Sequence, residues 1–197
     1  GEQSERIDSP EIDTLYKSFK SGSYLKTGEQ FKISNFDSER SRLTTAFRNS
    51  GVYHFSEEYI RYENDTIGTG NKVNVTMQIQ DRIIRNDDSI VRVPFQTYRI
   101  KDVNIYSDAT FENRSKTKSD SVSFNNYTIY SSGKLKYKPK ALTDAVLITK
   151  GSVFKDLDRA RTYRYLSELK TFKYPNIEYL ENPKDTTLTA NIYLTPK

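Results

Sequence analysis

Gly28-Glu29-Gln30-Phe31, followed a short way on by Glu39-Arg40-Ser41-Arg42, has a counterpart in the second half of the chain: Gly151-Ser152-Val153-Phe154, then Asp158-Arg159-Ala160-Arg161. At the offset that superimposes the arginines, Phe47 also meets Leu166 and Tyr53 meets Phe172. Further on, the alternating Val73, Val75, Met77 and Ile79 match Leu188, Ala190, Ile192 and Leu194. Agreement in residue type and in order marks two copies of one supersecondary unit.

Working outward from the repeat, Ser9-Pro10-Glu11 supplies an N-cap, a first-turn proline and a carboxylate for a helix carrying Ile12, Leu15, Tyr16 and Phe19 on one face, with Gly22 at its end. A second helix starts near Asn35 or Asp37, carries Leu43, Ala46 and Phe47 down one side and Arg40, Arg42 and Arg48 on its outward face, and stops at Ser50-Gly51. Strand patterns follow at His54-Phe55, at Tyr59 to Glu63 and at Val73 to Ile79. In the second half a leading strand over Tyr98 to Tyr106 precedes a short helix opened by Pro139, with Ala141, Leu142, Ala145 and Val146. A helix capped by Asp156 and containing Tyr165, Leu166 and Leu169 follows, and then strands over Ile177 to Leu180 and Leu188 to Leu194.

The predicted class is therefore α+β: two tandem β-α-α-β-β domains, each a three-stranded mixed sheet covered by two helices, because one apolar sheet face and two apolar helix stripes must cover one another. The expected boundaries are 1–82 and 96–197, with a linker over 83–95 and an insertion over 107–138 that holds a small hairpin around Tyr127 to Tyr130. Only Glu5-Arg6-Ile7 precedes the first helix, so the first leading strand reads as truncated, and the chain, opening on Gly1, reads as part of a longer one.

Composition supports small strand-rich domains. The hydrophobic content is 35%, low for one deep core, while 15 Tyr and 10 Phe supply large rings that strands can bury with a polar tip left wet. Cysteine is absent, which removes disulfides, thiolate metal sites and cysteine nucleophiles. No apolar run approaches the ~20 residues that span a bilayer as a helix. The net charge of +5 comes from 31 basic residues interspersed with 26 acidic ones, a solvated surface rather than the clustered patch that nucleic acid requires.

Chemistry finds no foothold. His54 is the single histidine, so neither a triad variant nor a multi-histidine metal site can be assembled. Asp87-Asp88 lacks the spacing and the glycine of a calcium loop. Gly68-Thr69-Gly70 lacks the helix and lysine of a phosphate loop and reads as a hairpin connection. Lys134-Leu135-Lys136-Tyr137-Lys138-Pro139-Lys140 interleaves cations with a ring and could touch an anionic lipid surface, although such a stretch is more often simply solvated. No catalytic, cofactor-binding or metal-binding residue is assigned.

The β-α-α-β-β order, the leading pattern Tyr98, Ile100, Val103, Ile105 and the Gly-x-x-Phe turn resemble the POTRA domain of the Omp85 superfamily. Thr44 to Phe55 and Tyr163 to Ile177 look more specifically like the TamL-type BamA/TamA homologues of Bacteroidota. The resemblance implies a non-enzymatic polypeptide-binding scaffold at the periplasmic face of the outer membrane. It implies a membrane β-barrel following in the same protein, unfolded outer-membrane protein clients or assembly-machinery subunits as partners, and no cofactor. A secretion transporter's periplasmic arm and a purely structural envelope module are the alternatives. By that analogy the second strand of each sheet lies at an edge that accepts an extended segment by β-augmentation, here Tyr59, Ile60, Arg61, Tyr62 and Glu63, and Asn176, Ile177, Glu178, Tyr179 and Leu180. Each edge also reads as a plain solvated sheet margin.

Overall fold

In both halves of the molecule the leading strand pairs in parallel with the strand that closes the β-α-α-β-β order. The computed structural model describes all residues except 31, 67, 69 and 111–119. Phe31 of the first Gly-x-x-Phe turn, Thr69 of the glycine connection and part of the insertion thus lie outside the described residues. The chain divides into Gly1–Thr97 and Tyr98–Lys197.

In the first unit, β1 (Gln3–Ile7) leads into α1 (Pro10–Phe19) and α2 (Ile33–Arg48), then β2 (Ile60–Asp65) and β3 (Asn74–Ile79). β3 lies in the middle, parallel to β1 and antiparallel to β2, so Ile7, Ile79 and Ile60 fall on one rung. The leading strand expected to be truncated is five residues long and pairs along its whole length. Ile12 and Tyr16 of α1, Leu43 and Phe47 of α2, and Ile60, Met77 and Ile79 of the sheet make one buried cluster. Phe55 and Phe95 complete it, ring centroids 5.2 Å apart. The opposite sheet face is polar, with the Ser4 and Thr76 hydroxyls 2.9 Å apart across the strands.

The expected linker and the expected Ser9 cap are both corrected. Residues 83–95, read as a linker, hold most of a β-hairpin, β4 (Arg82–Asn86) and β5 (Ser89–Val93), which belongs to the first unit. Its Asp87-Asp88 tip supplied a turn signal, and the short flanking strands were masked by their arginines. Ser9 stands at the N-cap position but makes no side-chain cap. Its buried hydroxyl instead donates to Asp81 at 2.6 Å and accepts the Phe95 N–H at 2.9 Å, tying the end of the sheet to the chain that leaves it.

The second unit repeats the plan with β6 (Arg99–Tyr106), α3 (Pro139–Thr143), α4 (Asp156–Glu168), β9 (Asn176–Asn182) and β10 (Thr187–Tyr193). β10 runs parallel to β6 and antiparallel to β9. The insertion adds β7 (Asp120–Phe124) and β8 (Tyr127–Ser131), and β8 pairs in parallel with β6, so the three expected strands sit within a five-stranded sheet. Asn125 and Asn126, both at positive φ, make the two-residue hairpin turn that the right-handed strand twist favours. On the sheet face away from the helices Tyr106 stacks between Tyr130 and Tyr193, with centroids 5.0 and 4.9 Å away. Gly28 and Gly151 hold φ of 89° and 86° at corresponding points of the two units, a left-handed backbone that glycine adopts without a Cβ penalty.

The rung Ile105–Ile192–Ile177 corresponds to Ile7–Ile79–Ile60, which sets Ile79 level with Ile192. The sequence alignment, which set Ile79 on Leu194, is thus two residues out of step there. A slip of two keeps every side chain on its own face, so hydrophobic alternation cannot detect it.

The outward arginine face expected of α2 turns inward. Glu39 is buried, and its carboxylate accepts bonds from the Ser23 hydroxyl at 2.6 Å, the Tyr24 N–H at 3.2 Å and both Nε and Nη2 of Arg42 at 2.7 and 2.9 Å. Arg42 also donates to the Phe19 carbonyl at 2.8 Å, and Arg48 donates to the carbonyls of Tyr53 and Phe55. Burial alone would raise the Glu39 pKa, but these hydrogen bonds outweigh it and hold the carboxyl below its usual range. A depressed folded pKa stabilises the fold fully above the unfolded value of ~4.3 and ceases to do so as pH falls through the folded value. Replacing Glu39 by alanine should cost about 3 kcal/mol at neutral pH, because it strands Arg42 and empties a buried site. In urea denaturation followed against pH, Glu39→Gln should give a flatter decline than wild type below about pH 4.

Candidate functional site

Backbone direction decides what each sheet margin presents, since a strand residue sends its N–H and C=O to one side and the next residue sends them to the other. In the first unit the Ile79 carbonyl accepts the Asp8 N–H, and the Val75 N–H donates to the Glu2 carbonyl. Val75, Met77 and Ile79 therefore face β1, and Asn74, Thr76 and Gln78 face β2. Their partners Asp65, Glu63 and Arg61 carry the ladder, so Ile60, Tyr62 and Asn64 turn their backbones out from the sheet. Among the described residues β2 is the edge on this side.

Ile60 is closed. Its N–H donates to the Glu57 carbonyl of the preceding 3-10 turn, and its carbonyl accepts Arg40 Nε at 3.1 Å. Arg40 also lies over the Tyr62 ring, 5.1 Å from the centroid, and Phe36 packs on the same ring at 4.8 Å. Burial pushes the Tyr62 hydroxyl well above its ordinary pKa; Glu39 adds to the rise and Arg40 opposes it. Tyr59 lies in the 3-10 turn, where its hydroxyl accepts the Ile83 N–H at 3.2 Å. Of Tyr59, Ile60, Arg61, Tyr62 and Glu63, Tyr62 alone turns backbone outward with no bond holding it at the strand start. Asn64, outside that expected range, joins it.

The second unit repeats the geometry. The Leu194 N–H donates to Tyr106 and its carbonyl accepts from Ala109, so Leu188, Ala190 and Ile192 face β6, and Thr187, Thr189, Asn191 and Tyr193 face β9. Asn176, Glu178 and Leu180 carry that ladder, while Ile177, Tyr179 and Glu181 point away from β10. The Ile177 carbonyl accepts Arg159 Nη2 at 3.3 Å, the counterpart of Arg40 on Ile60. Tyr179 packs edge-on against Phe154, centroids 5.3 Å apart, in the place that Tyr62 takes against Phe36. Asn64 and Glu181 each lie one residue past the expected stretches, because both strands run on beyond them, and which backbone faces outward depends on the pairing of the neighbouring strand, which carries no composition signal.

The remaining sequence candidates stay apart from these margins. His54 lies in the turn after α2, its ring 5.1 Å from that of Tyr53. Tyr137 of the lysine-rich stretch packs on Phe172 at 5.0 Å, and Lys140 bonds Asp144 at 2.6 Å. Among the described residues no group of three His, Asp or Glu converges to hold a metal, and no helix is long and apolar enough to cross a membrane.

No family model and no curated protein matches the chain. Among solved structures, BamA from Haemophilus ducreyi lacking POTRA domains 1–3 is similar over 100% of this chain and 29% of its own, with a TM-score of 0.60 at 6% identity. POTRA domains 3–5 of Haemophilus influenzae BamA are similar over 98% of this chain and 60% of theirs, TM-score 0.48, 9% identity. POTRA domains 1 and 2 of the periplasmic domain of Omp85 from Anabaena are similar over 98% and 93%, TM-score 0.42, 11% identity. The chain thus spans less than two thirds of the two Haemophilus chains. At these identities the likeness is one of fold, and it rests on the Haemophilus ducreyi BamA chain, with its TM-score of 0.60.

The two arginine clamps predict matched effects. Arg40→Ala should lower the stability of the first unit by about 1–2 kcal/mol, through its bond to the Ile60 carbonyl and its cation–π contact, the exposed pair with Asp37 adding little, and Arg159→Ala that of the second by about 1 kcal/mol. Chemical denaturation with a probe in each unit checks both values.

Proposed function

We propose that the chain is a polypeptide-binding scaffold whose β2 and β9 margins accept extended segments by strand addition. The observation that carries this reading is the outward backbone of Tyr62 and Asn64 at the edge of the first sheet, just past a strand start pinned by Arg40. An incoming strand can form up to four backbone bonds with these two residues, each worth about 1 kcal/mol net. Backbone pairing reads little side-chain identity, which suits a scaffold handling many clients. No acid, base and nucleophile are brought together at either margin, so the work proposed is binding rather than catalysis.

The fold likeness supports placing this scaffold at the periplasmic face of the outer membrane, ahead of a membrane β-barrel, with unfolded outer-membrane proteins or assembly subunits as clients. The TamL-type kinship in Bacteroidota rests on the stretches 44–55 and 163–177 alone.

Proline is tolerated at a sheet edge where the lost N–H points outward and not where it belongs to the ladder. Asn64→Pro should therefore keep the thermal midpoint within a few degrees and weaken crosslinking to an extended client peptide about tenfold, the loss of roughly one to two backbone bonds. Undiminished crosslinking in a folded Asn64→Pro protein removes β2 as the binding margin. Ile60 is a poor place for that test, because its side chain is core and its backbone groups are already bonded.

A further inference from the structure

We infer that the β2 margin selects extended polypeptides carrying a carboxylate side chain opposite Arg61, which enters a three-arginine cleft completed by Arg85 and Arg92. This rests on the reading of β2 as a strand-accepting edge and names what that edge prefers.

The hairpin register sets Ile83 opposite Arg92 and Arg85 opposite Ile90, so Ile83, Arg85 and Arg92 share one face of the β4–β5 ribbon. That face lines a cleft of about 520 Å³ whose other wall is Glu58, Tyr59 and Arg61. One bond joins the walls, the Ile83 N–H to the Tyr59 hydroxyl at 3.2 Å, while Arg92 Nη1 is steadied at the base of its own hairpin by the Asp81 carbonyl at 3.3 Å. Arg61, Arg85 and Arg92 are all exposed, and among the described residues none makes a salt bridge with a carboxylate. Three guanidiniums thus meet one lining carboxylate, that of Glu58, and a cleft of one sign concentrates the opposite charge.

The strand geometry makes the cleft part of the edge. Arg61 alternates with the inward Ile60 and Tyr62, so its side chain stands on the sheet face away from the helices. Directly opposed residues of neighbouring strands share a face with Cβ atoms ~5 Å apart. A strand laid beside β2 therefore sends the residue opposite Arg61 toward Arg85 and Arg92. The next positions on that face of β2 are Glu63 and Asp65, which repel an acidic residue placed two or four positions along. Charge runs from positive at the cleft to negative at the far end, and this fixes register as well as preference. On β9 the place of Arg61 is taken by Glu178, so the second unit's margin does not share the preference. An anionic headgroup would meet the same cations. The peptide is favoured because the cleft continues into the outward backbone of Tyr62 and Asn64, which a headgroup does not use.

The test uses the full chain and two blocked peptides of alternating Thr and Val that differ in one central residue, Glu or Gln, with binding read by fluorescence anisotropy at low and high salt. The Glu peptide should bind roughly five- to tenfold more tightly at low salt, with the gap narrowing at high salt. Arg85→Gln/Arg92→Gln should close the gap and leave the Gln peptide's affinity unchanged. Equal affinity for the two peptides, still weakened by Asn64→Pro, overturns the acid preference and leaves strand addition standing. Failure of both peptides to bind overturns both readings. Binding of phosphatidylglycerol vesicles that is lost in the arginine variant, without peptide discrimination, gives the cleft to a membrane and overturns the inference.

Discussion

The core of each unit follows from the strand that closes the β-α-α-β-β order, β3 or β10, pairing in parallel with the leading strand, β1 or β6. Parallel neighbours cannot be joined by a hairpin, so the chain between them must cross over one face, and it does so as two helices. Inserting the closing strand beside the leading one also leaves the strand before it, β2 or β9, at the margin. One pairing choice thus sets the core on the helix side, a polar or tyrosine-lined face on the other, and a sheet edge with outward backbone. The shared rungs Ile7–Ile79–Ile60 and Ile105–Ile192–Ile177 show the same solution reached twice.

The edge that results is managed rather than bare. Arg40 and Arg159 each cross from the second long helix to take a carbonyl at the start of the edge strand. These clamps pin the strand to the helix layer and shorten the open margin, so that in the first unit it begins at Tyr62. Short length and charge are how native sheets limit promiscuous pairing. In the first unit the charges, Arg61 then Glu63 and Asp65, also give the margin a direction.

The element order and the class of fold were legible because hydrophobic period, Pro10, the positive-φ glycines and the repeated arginine helix all pointed the same way. The edge residues were legible only as a stretch. Strand direction alternates what a margin presents, and that depends on the register against β3 and β10, which side-chain alternation cannot fix to better than two residues. The arginines of α2 illustrate a second limit. A charged residue at a helical position suggests solvent, yet Arg42 is drawn inward by Glu39, whose burial is paid for by four hydrogen bonds, two from Arg42 itself and two from the folded loop 23–24. The β4–β5 hairpin escaped notice because its exposed strands carry no apolar alternation that a core would demand.

The most direct measurement of strand addition at β2 is amide hydrogen exchange, residue by residue, with and without a saturating extended peptide. The outward amides of Tyr62 and Asn64 should become protected while the ladder amides of Arg61 and Glu63, already bonded to β3, change little. Protection confined to the helices, or none along β2, would contradict the account.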